Sequence, residues 1–438
     1  MEQERDRTKL LPDDVLAGVL GGRLDPRSLA TSRCICKTWR DIIDAHPALH
    51  AIFLPNSLAG IFINFNELGC SEFFSRPSPM KVVGVGEWLT CRVKDHCNGL
   101  VLLYDTVANP VRGWEEPLPP RPPQSLWPEW FFEDSYLVFD PSVSSDYHVF
   151  LIPRIPYIEL DIEPFEEPVV EIDPVVLESE WPPTSWTLRV FSSLNGQWEE
   201  RIFIRQGEAA GIVADLATEG SLDKRHAVYW CGALYVHCEK KFVVRLSLSD
   251  GTYHVIKPPK SLESESSPDC YLGKSKKGVY YALLLENGCK LQVWVLNESH
   301  GHREWILEHD RVLNLPPLCL NNGPWILEDV NYNEEKYIEH HDESITIEED
   351  FEWNSDNDVL DTEDTINKRR YGCISILGIH PFKEMVFLSR NLGRGLAYHL
   401  NTLKIEDLGN LCPKDYDHIA GQRGRIEAYF PYTPCWMK

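Results

Sequence analysis

Val138–Phe150 reads VFDPSVSSDYHVF: an apolar run, a polar turn of Asp, Pro and Ser, and an aromatic residue opening a second apolar run. Short β-branched and aromatic runs separated by such turn residues form strand–turn–strand units. The unit returns as VFSSLNGQWEERIF (Val190–Phe203), RLSLSDGTYHVI (Arg245–Ile256), VWVLNESHGHREWIL (Val293–Leu307) and AYHLNTLKIEDL (Ala397–Leu408). Anchored on Phe139, Phe191, Leu246, Trp294 and Tyr398, the spacings are 52, 55, 48 and 104 residues, the last being twice the first.

A hairpin-bearing repeat near 50 residues is the pattern of kelch-like β-propeller blades. NPVRGW (Asn109–Trp114) reads as an earlier, shortened unit, which gives roughly six units. The blade number and the closure of the ring are not legible in the pattern. At 438 residues, 43% hydrophobic and with 14 Trp, the chain has material for more than one packed unit.

The net charge of −24 argues against a nucleic-acid or anionic-membrane partner. It is also local. Glu159–Glu180 holds nine acids and no base, and Glu328–Asp364 holds sixteen acids and one base, Lys336. These two insertions account for the whole net charge. Their composition reads as solvated linker, with attraction of a basic substrate as the sharper alternative. No run has the length of a membrane span. The thirteen cysteines are odd in number and follow no secretion signal, so reduced thiols in cytoplasm and/or nucleus are expected.

The first fifty residues are different in texture. In LPDDVLAGVLGGRLDPRSLATSRCICKTWRDIID (Leu11–Asp44), Asp13 and Asp14 suit a first helical turn, and Val15, Leu16, Val19 and Leu20 form an apolar stripe. Gly21-Gly22 is expected to stop this helix. Asp25 as N-cap and Pro26 at the first helical position begin a second, with Leu29 inward. A third is expected from about Cys36 to Ala45, with Cys36, Trp39 and Ile43 sharing a face and Ile35, Trp39 and Ile42 nearly doing so. Cys34 and Cys36 diverge by about 200° on a helix, so they read as small hydrophobes rather than metal ligands. A three-helix unit of this size leaves apolar surface for a partner.

Leu-Pro at Leu11-Pro12, Pro-x-x-Leu at Pro26–Leu29 and Cys-Lys-x-Trp at Cys36–Trp39 together resemble an F-box. DPSVSSDYHVFLIPRIP, ESEWPPTSWTLRVFSS, HAVYWCGALYVHC, SILGIHPFKEMVFLS, GLAYHLN and FPYTPCW resemble the F-box-associated domains of plant F-box proteins, particularly a large grass group. The resemblance implies an α+β multidomain chain: a small three-helix F-box at 8–50, a connecting segment at 51–78, and a mostly antiparallel all-β propeller at 79–438. The acidic insertions fall at about 159–180 and 328–364.

By the same resemblance, Leu11, Pro12, Val15, Leu16, Pro26, Leu29, Cys36 and Trp39 bind a Skp-family adaptor or form the motif's core. A cullin scaffold joins through that adaptor, and the propeller holds an unknown protein client. The chain would then be the non-enzymatic receptor of an SCF-type ubiquitin ligase. Its alternatives are an F-box scaffold outside a ligase, or a propeller enzyme or glycan-binding module with a helical cap. No P-loop, Gly-x-Ser-x-Gly or His-Glu-x-x-His is present, and no cofactor or metal is expected. HHDE (His340–Glu343) reads as a solvated loop. CRVKDHC (Cys91–Cys97) reads as strand packing, because its spacing matches no common zinc pattern.

Overall fold

Short β-branched and aromatic runs build twenty-six strands among the described residues, nearly all in antiparallel pairs. The computed structural model describes residues 12–24, 26–33, 35, 37–46, 49, 57–77, 91–123, 127–128, 130–155, 173–217, 226–238, 242–259, 261, 269–285, 288–299, 302–315, 323–332 and 374–437. Three helices come first, α1 (Asp13–Arg23), α2 (Pro26–Ser32) and α3 (Lys37–Ala45), and two strands follow, β1 (Gly60–Phe65) and β2 (Glu72–Ser75).

Five sequential blades come next. The first is β3 (Asp95–Cys97), β4 (Leu100–Leu102), β5 (Thr106–Asn109) and β6 (Trp114–Pro117). The second is β7 (Phe132–Phe139), β8 (Tyr147–Arg154), β10 (Ser185–Ser192) and β11 (Gln197–Arg205). Beside it β9 (Glu180–Trp181) and β12 (Gly211–Ile212) form a two-stranded ribbon. The third is β13 (Ala227–Trp230), β14 (Ala233–Cys238), β15 (Phe242–Ser247) and β16 (Thr252–Ile256). The fourth is β17 (Asp269–Ser275), β18 (Gly278–Leu285), β19 (Lys290–Asn297) and β20 (Glu304–Val312). After β21 (Ile326–Glu328), the fifth is β22 (Ile374–Ile379), β23 (Met385–Arg390), β24 (Arg394–His399) and β25 (Ile405–Asn410).

The sixth blade closes the ring. Its strand order is β26-β1-β2-β21, where β26 spans Ile426–Tyr432. Phe62 pairs with Phe430, and Phe73 with Glu328, so three distant stretches of chain share one sheet. The inner strands β3, β7, β13, β17, β22 and β26 each pack on the next, and β26 returns to β3. Burial falls from the axis outward. All eight residues of β18 are buried, whereas in the outer strand β20 only His309 is. The outer strands of the second and third blades also pair in parallel, at Ile204–Thr252 and Arg205–Tyr253.

The tight turns follow from residue chemistry. Asn98 (φ 46°) and Gly99 (φ 93°) both take positive φ between β3 and β4, as a two-residue hairpin requires. A side chain on Gly99 would also strike Cys435, whose nitrogen would lie 2.5 Å from its Cβ.

Several expectations are corrected. Segment 51–78 is no mere connector, since it supplies β1 and β2 of the closing blade. Val138–Phe150 and Val190–Phe203 are two hairpins of the same second blade, β7–β8 and β10–β11, so their 52-residue spacing is not a blade repeat. Among the described residues the 104-residue interval adds no further blade; it contains β20 to β23, with the acidic run between β21 and β22. The six proposed units and the six blades agree in number by offsetting errors, because the second blade holds two of the units and the closing blade has none of its own. Helix α1 runs through Gly21-Gly22 to Arg23, with Leu24 N–H bonded to the Leu20 carbonyl. Two glycines at a helix end cost only about 1 kcal/mol each.

Candidate functional site

Two places on the chain present surface that the fold does not consume: the helical unit and one face of the ring. In α1, Asp13 and Asp14 lie in the first turn, where the N-terminal dipole favours acids. Leu16, Ala17 and Leu20 turn inward and are buried, while Val15 and Val19 are 45% and 46% exposed. The expected single stripe therefore splits, because neighbouring helical residues diverge by about 100° and only one flank of the helix is covered.

Leu29 of α2 and Ile43 of α3 are fully buried, and Ile42 nearly so. Trp39 is half-buried against them. Ile35 precedes α3 and is 65% exposed, so it does not share the inner face with Ile42 as expected. The buried helical residues belong to one apolar cluster with Phe62, Leu100, Val107 and Trp436 of the ring, which seats the unit on the first and closing blades.

Of the residues assigned to adaptor binding, Pro12 and Val15 face solvent, and Leu16 and Leu29 are packed into the chain's own core. Those two leucines hold the helices together rather than offer themselves. Leu11 and Cys36 lie outside the described residues, as do Cys34, Asp25, the Pro26 side chain and His340–Glu343.

The ring axis is plugged. Tyr271, Tyr429 and His226 pack there as tilted rings at centroid distances of 4.3 to 5.4 Å, beside a cavity of about 40 Å³ bordered by His96, Lys274 and Tyr229. Lys274 donates to Asn98 Oδ1 at 2.7 Å. Burial, aided by Lys274, pushes His96 down to about 4, so its ring is neutral. In CRVKDHC, Cys97 does not converge with Cys91: its sulfur bonds the Phe139 backbone at 3.3 Å, and burial drives the thiol up to about 12. Among the described residues no group of three His, Cys, Asp or Glu side chains is arranged to hold a metal. No described helix is long and apolar enough to cross a membrane.

The ring face at the N-terminal ends of the inner strands, here the upper face, is open by contrast. Between the closing, first and second blades lies a groove of about 350 Å³ bordered by Arg92, Lys94, Tyr104, Arg121, Arg154 and Arg425. It adjoins a second depression of about 600 Å³ that shares Arg92, Arg425 and Glu427 and adds Arg423. Sequence reasoning missed this group. Its cations come from four stretches spread over more than 300 residues, Arg92 and Lys94, Arg121, Arg154, and Arg423 and Arg425, and no linear motif marks them.

Among the described residues, the strand order defines a six-bladed, propeller-like ring carrying a helical unit. No known family profile matches the chain, and no curated protein matches it. Among solved structures it is similar to YCF48 bound to a D1 peptide, at 7% identity over 81% of this chain and 82% of that one, with a TM-score of 0.32. It is also similar to the WD40 domain of SCAP from fission yeast, at 11% identity over 71% and 73%, with a TM-score of 0.21. Scores of that size carry no argument, and the assignment of the ring rests on its strand pairing.

Proposed function

We propose that this chain is a non-enzymatic substrate receptor whose N-terminal helices act as an F-box. They take a Skp-family adaptor, and through it a cullin scaffold, while the ring takes a protein client. One observation carries the reading: Val15, Val19 and Ile35 stand exposed on a helical unit whose opposite flank is already seated on the ring. Apolar side chains grouped in water on so small a unit suit a partner's surface. The resemblance of Leu11–Trp39 to an F-box supplies the partner's class.

In this reading the chemistry belongs to a ubiquitin-conjugating enzyme elsewhere in the assembly. This chain contributes proximity, turning a bimolecular encounter into one at high effective concentration. The test is capture of a purified Skp-family adaptor by the whole chain and by Val15→Asp with Val19→Asp. Both valines are exposed, so the ring's melting temperature should not move. Adaptor affinity should fall at least about tenfold, the size of one lost apolar anchor. Equal capture by both proteins would overturn the reading.

A further inference from the structure

We infer that the upper-face groove is a binding site for an anionic side chain, carboxylate or phosphate, on a protein segment. That the occupant is a protein segment rests on the receptor reading; the anion preference rests on the groove alone.

The groove reverses the sign of the molecule. On a chain of net charge −24, Arg92, Lys94, Arg121, Arg154, Arg423 and Arg425 border the two depressions, against Glu67, Glu133, Asp134 and Glu427. Three of those acids are already engaged. Glu133 is ion-paired from behind with the buried Arg189, and Asp134 faces Arg154 at 3.9 Å. Glu427 is held by Arg92 at 2.6 Å and has only a long 3.5 Å contact with Arg425. Among the described residues, Lys94, Arg121 and Arg423 have no carboxylate within ion-pair reach. The surplus is therefore positive and concentrated at the lip.

The cations are also held in place. Arg92 donates to the Leu68 carbonyl at 2.7 Å and the Phe65 carbonyl at 2.9 Å, which fixes it at the junction of the two depressions. Arg121 donates to the Tyr104 carbonyl at 3.0 Å and lies 5.5 Å from the centre of its ring. Tyr104 itself is 67% exposed. Planar guanidinium groups match carboxylate and phosphate oxygens in pairs, and a phosphate brings nearly two negative charges. An exposed tyrosine beside them offers an apolar face to the neighbouring residues of a peptide. A nucleic acid would bring the same oxygens, but as a long polyanion it would meet the repulsion of the whole acidic molecule.

The test uses the whole chain and degenerate nonapeptide pools that fix phosphoserine, glutamate or alanine at the centre. Lys94→Glu and Arg121→Glu are compared with Lys276→Glu, an exposed lysine in the β17–β18 turn on the opposite face. Phosphoserine or glutamate pools should bind above the alanine pool and weaken with salt. Lys94→Glu and Arg121→Glu should each reduce affinity about 10- to 100-fold, the range for one charge-assisted contact, and Lys276→Glu should not. The phosphoserine and glutamate arms separate the two anion sources. Alanine peptides binding as well, inorganic phosphate alone binding, equal loss in Lys276→Glu, or tighter binding of a single-stranded oligonucleotide would each overturn the inference. Adaptor capture is read in parallel. If it persists while anion binding is absent, only the groove assignment falls. If it fails while anion binding holds, only the receptor reading does.

Discussion

Asp95 shows how one buried group sets a condition on the whole ring. It opens β3, is 4% exposed, and its carboxylate accepts the Leu137 N–H at 2.7 Å, tying the first blade to the second. Burial pushes it up to about 7, and pushes Glu72 to about 7 despite its bonds from Asn331 and Val330. His96 and His380 go the other way, down to about 4 by burial. The acids bind more protons folded than unfolded between about pH 4 and 7, so their contribution to stability falls as pH rises through that window. The histidines bind fewer, so theirs rises between about pH 4 and 6.5. The two trends oppose each other in the native protein. At about 1.4 kcal/mol per pH unit, ionised Asp95 costs on the order of 4 kcal/mol above pH 7. Asp95→Asn keeps the acceptor and removes the titration. Its melting temperature relative to the native chain should climb between pH 5 and pH 7.5, and parallel curves would refute the assignment.

At the scale of elements, the strap after the fourth blade shows where an acidic composition misleads. Glu328–Asp364 reads as one solvated run, yet its first residues are built into the fold. Ile326–Glu328 pair with Phe73–Ser75, Val330 N–H donates to Glu72 at 2.6 Å, and Asn331 exchanges bonds with the Cys70 backbone. At the strap's start Gly323 approaches the backbone of Leu408 so closely that an added Cβ would lie 2.3 Å from its oxygen. Removing 333–373 should therefore leave the melting temperature nearly unchanged, whereas removing 328–364 should lower it, because Glu72 would lose its donors and stay buried. Equal effects of the two deletions, measured by calorimetry, would contradict this. The hairpins themselves were legible, since Asn-Gly and Asp-Gly turns at Asn195-Gly196 and Asp250-Gly251 act locally. Which hairpin belongs to which blade was not. A β7–β8 hairpin and a β10–β11 hairpin look alike from their residues and differ only in distance from the axis. The outward valines of α1 were likewise hidden, since composition does not say which flank of a helix is covered.

For the whole molecule, the ring depends on contacts that span its entire length. Beyond the β26–β1 pairing, Asn109 donates to the carbonyls of Cys435 and Met437 at 2.9 and 3.1 Å, and Tyr432 donates to the Gly99 carbonyl at 3.0 Å. A chain ending at Arg425 should leave β1 as an open edge and the first blade without its cover. Its denaturant unfolding should lose the single steep transition and show a smaller m-value, as for a less compact fold. An unchanged transition would mean that the closing blade is dispensable. The same three-part blade also imposes a schedule on synthesis. At about 5–20 residues per second, β1 emerges roughly 20–70 s before β26. During that interval the apolar GIFINF strand has no inner neighbour, and its free edge is a template for pairing with other chains. The nascent chain therefore needs a chaperone's protection longest at its beginning, and the burden ends only when its last strand arrives.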